Sequence, residues 1–229
     1  MLKWIISSTF IIVALKTYNI ICKIPSTWLF HHYIERVDYF RRLNKKLKSG
    51  GIVFIGDSLT EHFIVSEFFP EHYVINRGIS GDTTYGVLCR LKESAFDLQP
   101  KKIFLLIGIN DIGNEKEPTY IINNTKLIIK KLKNKLPKTK IYVQSIYPVY
   151  KEVNNSIKKR IVGNRDNKQI QIINRQLYRL SKRYNCTYID MNKKLRDKRG
   201  QLKYEYTIEG LHLSPRGYER VARELEKYL

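Results

Sequence analysis

The sequence predicts an α/β fold: an open parallel sheet of about five strands with helices packed on both faces. Three observations predict it. Short apolar runs recur at 52–55, 73–75, 103–107, 141–143 and 187–189. They lack the polar alternation of a half-exposed strand, as expected of a sheet covered on both faces. Longer stretches with helical periodicity separate them, at about 83–95, 118–135, 167–184 and 215–228. Strands and helices alternating at this spacing require crossover connections, and crossovers produce a parallel sheet between two helical layers.

The elements follow in order. Residues 4–15, WIISSTFIIVAL, form an uncharged, mostly apolar run behind Lys3. Twelve residues match the apolar part of a signal peptide and are short for a membrane span. Extending to residue 24 gives the length of a span but includes Lys16, Asn19 and Lys23, which a helix end can tolerate by snorkelling. Residues 1–24 are therefore expected to anchor or export the protein. The alternative is a helix packed on a cytoplasmic domain. Residues 25–49 are expected to hold a basic amphipathic helix, because Tyr33, Val37, Phe40 and Leu43 recur at steps of three and four with Arg and Lys between them. Gly50-Gly51 ends it. The main domain is then 50–229. Its last helix has a readable start, with Ser214 as N-cap and Pro215 in the first turn.

A chain of 229 residues with 43% hydrophobic and 12% aromatic content suits one folded domain with a short appendage and excludes a disordered one. Three cysteines without a Cys-x-x-Cys pair exclude a disulfide framework. The adjacent His31 and His32 would point about 100° apart on a helix, a poor chelate, and no His-Glu-x-x-His occurs. A structural zinc is not expected.

The net charge of +21 by itself points to an anionic partner such as nucleic acid, membrane or an acidic polymer. Its distribution weakens the first of these. Residues 51–125 sum to −4 and 204–229 to −1, so the excess lies elsewhere. The densest run, Lys126, Lys130, Lys131, Lys133, Lys135, Lys138 and Lys140, has no interleaved aromatics and no nucleic-acid motif. It reads as a solvated helix face. No specific nucleic-acid partner is expected; an anionic membrane or cell-wall surface is. Nothing in the sequence specifies an oligomer.

In a parallel sheet the loops after the carboxyl ends of strands build the site. The first loop reads Gly56-Asp57-Ser58-Leu59-Thr60. A serine at a strand-to-helix turn can project its Oγ while its N–H, at a helix start, stays unpaired. From the loop alone, the same serine is more readily read as a helix N-cap. The second loop, Asn76-Arg77-Gly78-Ile79-Ser80-Gly81-Asp82-Thr83, has glycines that let a backbone N–H approach a ligand. Its alternative is turn chemistry, with Asp82 or Thr83 capping the next helix. The third, Gly108-Ile109-Asn110-Asp111, offers a side-chain amide donor or an Asx turn. Before the last helix stands Glu209-Gly210-Leu211-His212. An imidazole with a carboxylate three residues earlier has the parts of an oriented general base; alone it would pass for a surface histidine.

Four such blocks in this order resemble the SGNH (GDSL-type) hydrolase family. The resemblance covers about residues 50–229, through Gly56-Asp57-Ser58, Asn76-x-Gly78-x-x-Gly81-Asp82-Thr83, Gly108-x-Asn110-Asp111 and Glu209-x-x-His212. It implies a flavodoxin-like three-layer α/β/α sandwich and a serine esterase without metal or organic cofactor. It implies Ser58 as nucleophile and His212 as base. The Ser58 N–H, the Gly81 N–H and the Asn110 side chain would form the oxyanion hole. The family places Asp where this chain has Glu209, one methylene longer; Ser-His-Glu triads are chemically sound, and Glu209 is the expected orienter, with Glu205 the substitute. Asp57, Asp111 and Tyr147 are expected to line the substrate, Tyr147 by stacking on a sugar or bounding an acyl pocket. His62 is expected to be surface and Asp190 structural. The 76–91 segment is similar to the branch typified by platelet-activating-factor acetylhydrolase catalytic subunits and bacterial acetyl esterases. That branch implies short acyl esters, acetyl above all, on carbohydrate or lipid.

Overall fold

The computed structural model describes residues 27–152 and 159–229; the anchor or export segment expected at 1–24 lies outside the described residues. Among the described residues no helix is long and apolar enough to cross a membrane. The chain opens with α1 (Thr27–Asn44) and then enters β1 (Ile52–Gly56), the short helices α2 (Ser58–Glu61) and α3 (Val65–Phe68), and β2 (Val74–Gly78). Next come α4 (Thr84–Cys89), α5 (Leu91–Ser94), β3 (Lys102–Leu106), α6 (Ile109–Gly113), α7 (Pro118–Lys135) and β4 (Lys140–Gln144). The last part holds α8 (Lys159–Val162), α9 (Asn167–Arg183), β5 (Thr187–Ile189), α10 (Met191–Leu195) and α11 (Pro215–Leu225).

The five strands lie in the order β2-β1-β3-β4-β5, and every pairing is parallel. From β1 the chain first winds outward to β2 and then returns past β1 to β3. The order therefore reverses between β1 and β3, and ligands of open α/β sheets bind in the crevice at that reversal. Ser58 follows β1 and Asn110 follows β3.

The sheet separates two apolar layers. Phe54, Phe104 and Tyr142 occupy facing register positions on β1, β3 and β4. Their rings stack at centroid distances of 4.7 Å each. They are buried with Leu59, Phe63, Ile173, Leu177, Val221 and Leu225. The alternate positions Val53, Ile55, Ile103, Leu105, Ile141 and Val143 pack against Val87, Leu91, Ile128 and Leu132 on the other side. The period of two in a strand sends each set to one layer.

Helix α1 belongs to the second side. Phe40 is buried, with the Arg77 and Arg36 guanidinium groups 4.5 and 4.9 Å from its ring centre. Tyr33 Oη donates to the Gly86 carbonyl at 2.9 Å, and the Asn44 amide donates to the Glu93 carbonyl at 2.8 Å.

The helix expected at 83–95 is broken at Arg90, whose backbone leaves helical geometry (ψ 18°). Its side chain is anchored at the break. The guanidinium is fully buried and pairs with Asp82 at 2.7 Å. It also donates to the carbonyls of Gly56 and Arg77, both at 2.9 Å. One arginine thus ties the loop after β2 to the ends of β1 and β2.

Candidate active site

Asp57 is the N-cap of α2, its Oδ1 accepting the Leu59 N–H at 3.0 Å. The cap role that the sequence left open for Ser58 thus falls to its neighbour, and Ser58 is the first residue of the helix. Among the described residues, no acceptor takes the backbone N–H of Ser58 or of Gly81. Orphan donors at such positions are available to an anionic ligand atom.

Ser58 Oγ lies 2.9 Å from His212 Nε2. His212 Nδ1 lies 2.8 Å from Glu209 Oε1. Residues 154 positions apart are brought together because α11 packs against the layer of α2, with Tyr218 Oη donating to the Leu59 carbonyl at 3.1 Å. Burial works to raise the Glu209 carboxyl, but bonds from the His212 side chain and backbone outweigh it and hold it below the usual range. Among the described residues Glu205, the substitute for Glu209, contributes only its backbone carbonyl, which accepts from Ser214 Oγ.

Gly81 has φ +78°, in the left-handed region that favours glycine, and the Leu29 side chain of α1 packs over it. The preceding N–H, of Ser80, donates to Glu61 Oε2 at 2.6 Å. Glu61 Oε1 in turn meets His32 Nε2 at 3.1 Å and Arg36 Nε at 3.0 Å. Gly78 lies so close to the end of α2 that a Cβ there would collide with the Glu61 backbone. Asn76 completes this seam, its amide donating to the Thr60 and Phe63 carbonyls at 2.7 and 2.8 Å.

Asn110 Nδ2 donates to the Asp82 carbonyl at 3.0 Å, its second hydrogen meeting no acceptor among the described residues, and Asn110 Oδ1 accepts from Arg165 Nη2 at 2.8 Å. Thr83 caps α4 by accepting the Gly86 N–H at 3.2 Å.

The structure brings Ser58, His212, Glu209, Gly81 and Asn110 to the same end of the sheet. It corrects the substrate-lining expectation for three others. Asp57 and Asp111 are both 0% exposed and Tyr147 is 3% exposed. Asp111 accepts from Thr84 N and Oγ1 at 2.9 and 2.7 Å, fixing the loop after β3 to the start of α4. Tyr147 donates to Gln144 Oε1 at 2.8 Å, and a ring so enclosed has no face for a sugar. All three support the wall from behind. Burial raises Asp57 to about 7, against the Leu59 hydrogen bond, and raises Asp111 to about 6, against its Thr84 bonds.

His62, expected at the surface, is exposed but sits beside the site, its ring centre 5.3 Å from that of His212. Burial of part of the ring, and then the nearby His212, lower its pKa. Sequence reasoning missed Arg165, Glu61 and Arg90, which hold the donor loops. Among the described residues no three metal-ligating side chains converge. The arrangement offers a hydroxyl, a base to take its proton, a carboxylate behind the base, and donors for a developing oxyanion.

The chain matches the model of the GDSL-like Lipase/Acylhydrolase family over residues 54–220. It is 26% identical to platelet-activating factor acetylhydrolase IB subunit alpha2 of Homo sapiens over 192 residues, 82% of this chain and 79% of that one. A structure from Streptococcus pneumoniae, provisionally described as a platelet activating factor, is 33% identical with a TM-score of 0.84, covering 92% of this chain and 98% of that one. A GDSL-like lipase from Bacteroides thetaiotaomicron shares the fold at a TM-score of 0.73 and 22% identity, over 84% and 96% of the two chains. The strand reversal and the four loops described above thus sit within a known frame: the chain belongs to the GDSL-like lipase/acylhydrolase family, the SGNH hydrolases, and is an ester-hydrolysing enzyme.

Proposed function

We propose that the protein is a serine esterase that removes short acyl groups, acetyl above all, from carbohydrate through an acyl-enzyme on Ser58. The observation that carries the serine mechanism is the unbroken relay from Ser58 Oγ to His212 Nε2 at 2.9 Å and from His212 Nδ1 to Glu209 Oε1 at 2.8 Å. Ser58 Oγ attacks the ester carbonyl as its proton passes to Nε2. The carbonyl oxygen becomes an anion held by the Ser58 N–H, the Gly81 N–H and Asn110 Nδ2. His212 then protonates the departing alcohol, and a water activated by the same nitrogen hydrolyses the acyl-serine. Glu209 stays ionised throughout and stabilises the imidazolium.

The acetyl preference is supported by the acetylhydrolases with which the chain shares 26% identity. The carbohydrate half rests on the branch resemblance alone. A lipid ester is the second reading, favoured by the lipase in the family's description and by the apolar run at 4–15. A non-catalytic binding protein would rest only on the glutamate in place of aspartate, and that glutamate reaches the imidazole.

The purified enzyme should hydrolyse p-nitrophenyl acetate, and Ser58→Ala should abolish this. Retained activity in that variant would sink the serine mechanism. A chain-length series of esters with a maximum at eight or more carbons would favour lipid, whereas release of acetate from acetylated sugars supports the primary reading.

A further inference from the structure

We propose that Arg165 is the positioning residue of the Asn110 donor, and that its cation strengthens that donor. This deepens the reading above, because it rests on Asn110 contributing to the oxyanion hole. Arg165 follows α8, 55 residues from Asn110, and its guanidinium reaches across to the loop after β3. Nη2 donates to Asn110 Oδ1 at 2.8 Å and Nε to the Ile109 carbonyl at 3.1 Å. Nη1 donates to the carbonyls of Ile161 and Val162 at 3.1 and 3.2 Å. Residue 113 is a glycine under the guanidinium; a Cβ there would lie 2.7 Å from Arg165 Cζ. The planar group is thus held from one side by α8 and grips the backbone and the side chain of the donor loop on the other.

An asparagine amide can flip, exchanging a donor for an acceptor. Here the flip is blocked at both ends. Arg165 has no acceptor to offer, so an NH2 turned toward it would face donors only. The Asp82 carbonyl has no donor, so an oxygen turned toward it would face another oxygen. With Oδ1 fixed on the guanidinium and one Nδ2 hydrogen on Asp82 O, the remaining hydrogen has a fixed direction. Preorganisation of this kind makes a donor effective at the moment charge develops. The hydrogen bond from a cation to Oδ1 also draws electron density from the amide and makes its N–H a stronger donor. Arg165 touches no reacting atom; it acts through Asn110.

A double-variant cycle tests this, with kcat and KM measured on p-nitrophenyl acetate and the thermal midpoint measured for each protein. Asn110→Ala should lower kcat by about 10²–10³-fold. Arg165→Met should lower kcat by about 10–100-fold with KM within about threefold, as expected for loss of a preorganised donor. Arg165→Lys should recover part of that loss. In the Asn110→Ala background, Arg165→Met should cost less than about twofold more. An undiminished loss in that background would overturn the proposal, as would Arg165→Met alone leaving kcat unchanged. Should Arg165→Met fail to fold, the same cycle run with Arg165→Lys decides, because a lysine keeps the charge but cannot hold the fork. An additive cycle with inactive Ser58→Ala refutes only the role of Arg165; an active Ser58→Ala refutes the reading of the site beneath it.

Discussion

Glu209 Oε1 holds His212 twice: it lies 2.8 Å from Nδ1 and accepts the backbone N–H of the same histidine at 2.7 Å. One oxygen therefore fixes both the ring and the peptide that carries it. The extra methylene of glutamate lets the carboxylate curl back on its own turn to reach the ring three residues later. Glu209→Gln keeps the shape but loses the charge that stabilises the imidazolium and the preference for an N–H at Nδ1. Its kcat should fall by roughly a thousandfold or more, the scale seen when a triad carboxylate becomes an amide. Glu209→Asp should be milder, since the charge survives and only the reach is short. Steady-state kinetics with both variants checks this; equal losses would assign Glu209 to geometry rather than charge.

Asp57 predicts a pH dependence of stability. Its carboxyl is 0% exposed, and its Oδ2 is without a hydrogen-bond partner among the described residues. The folded protein raises it to about 7 from 3.8. Between those values the folded state holds a proton that the unfolded chain has lost. The stabilisation is complete below about pH 4 and is lost as pH rises toward 7, by an amount on the order of a few kcal/mol. Asp111, raised to about 6, acts in the same direction. Asp57→Asn keeps an oxygen for the Leu59 N–H and removes the titration. The drop in thermal midpoint from pH 5 to pH 8 should be smaller in this variant than in the wild type. An unchanged drop in a calorimetric pH series would show that Asp57 does not titrate in this range.

The strands and the four loops were legible because their signals are local. An apolar run between turns, or a Ser, Asn or His beside the right glycine, is visible in a window of a few residues. The supporting arginines were not. Arg165 stands in no motif, and Arg90 falls in the 76–91 segment that marks only the family branch. Their partners, Asn110 and Gly56, are 55 and 34 residues away, and no local pattern marks such a contact. The same blindness placed Asp57, Asp111 and Tyr147 on the site wall rather than behind it, because a motif shows which residues gather and not which way each side chain turns. Part of the +21 charge is therefore architectural: Arg90 and Arg77 are buried, Arg90 tying the ends of β1 and β2 and Arg77 donating to Asn44 of α1.

Glu61 gives the corresponding prediction for the second donor loop. Its carboxylate joins the Ser80 N–H to His32 and Arg36 of α1. Burial opposes the charge, but the Ser80 bonds, His32 and Arg36 outweigh it and hold the carboxyl below its ordinary range. Glu61→Gln weakens a charge-assisted bond to the peptide that precedes Gly81. It should lower kcat by about tenfold, equivalent to about 1.4 kcal/mol, and reduce the thermal midpoint. Arg36→Gln removes a partner of Glu61 without touching Ser80. It should reduce the midpoint and leave kcat within about threefold. Parallel kinetics and melting curves separate the two; equal kcat losses would mean that α1 as a whole, not the Glu61–Ser80 bond, governs the loop.

The last prediction concerns where the chain resides. Helix α1 is tied to the catalytic domain through Phe40, Tyr33 and Asn44, so the functional boundary is expected before residue 27 rather than after residue 49. The apolar 4–15 run and its flanking Lys3, Lys16 and Lys23 would then lie outside that boundary. We propose that this segment holds the enzyme at a membrane whose anionic surface attracts Lys3, Lys16 and Lys23, at about 1 kcal/mol per near-surface lysine or arginine. The full chain, expressed in its host, should sediment with membranes and resist carbonate extraction. A chain beginning at residue 27 should appear in the supernatant with the same kcat on p-nitrophenyl acetate and the same thermal midpoint. A full-length chain of intact mass in the supernatant would remove the anchor reading, and a loss of midpoint on truncation would show that the segment packs on the domain instead.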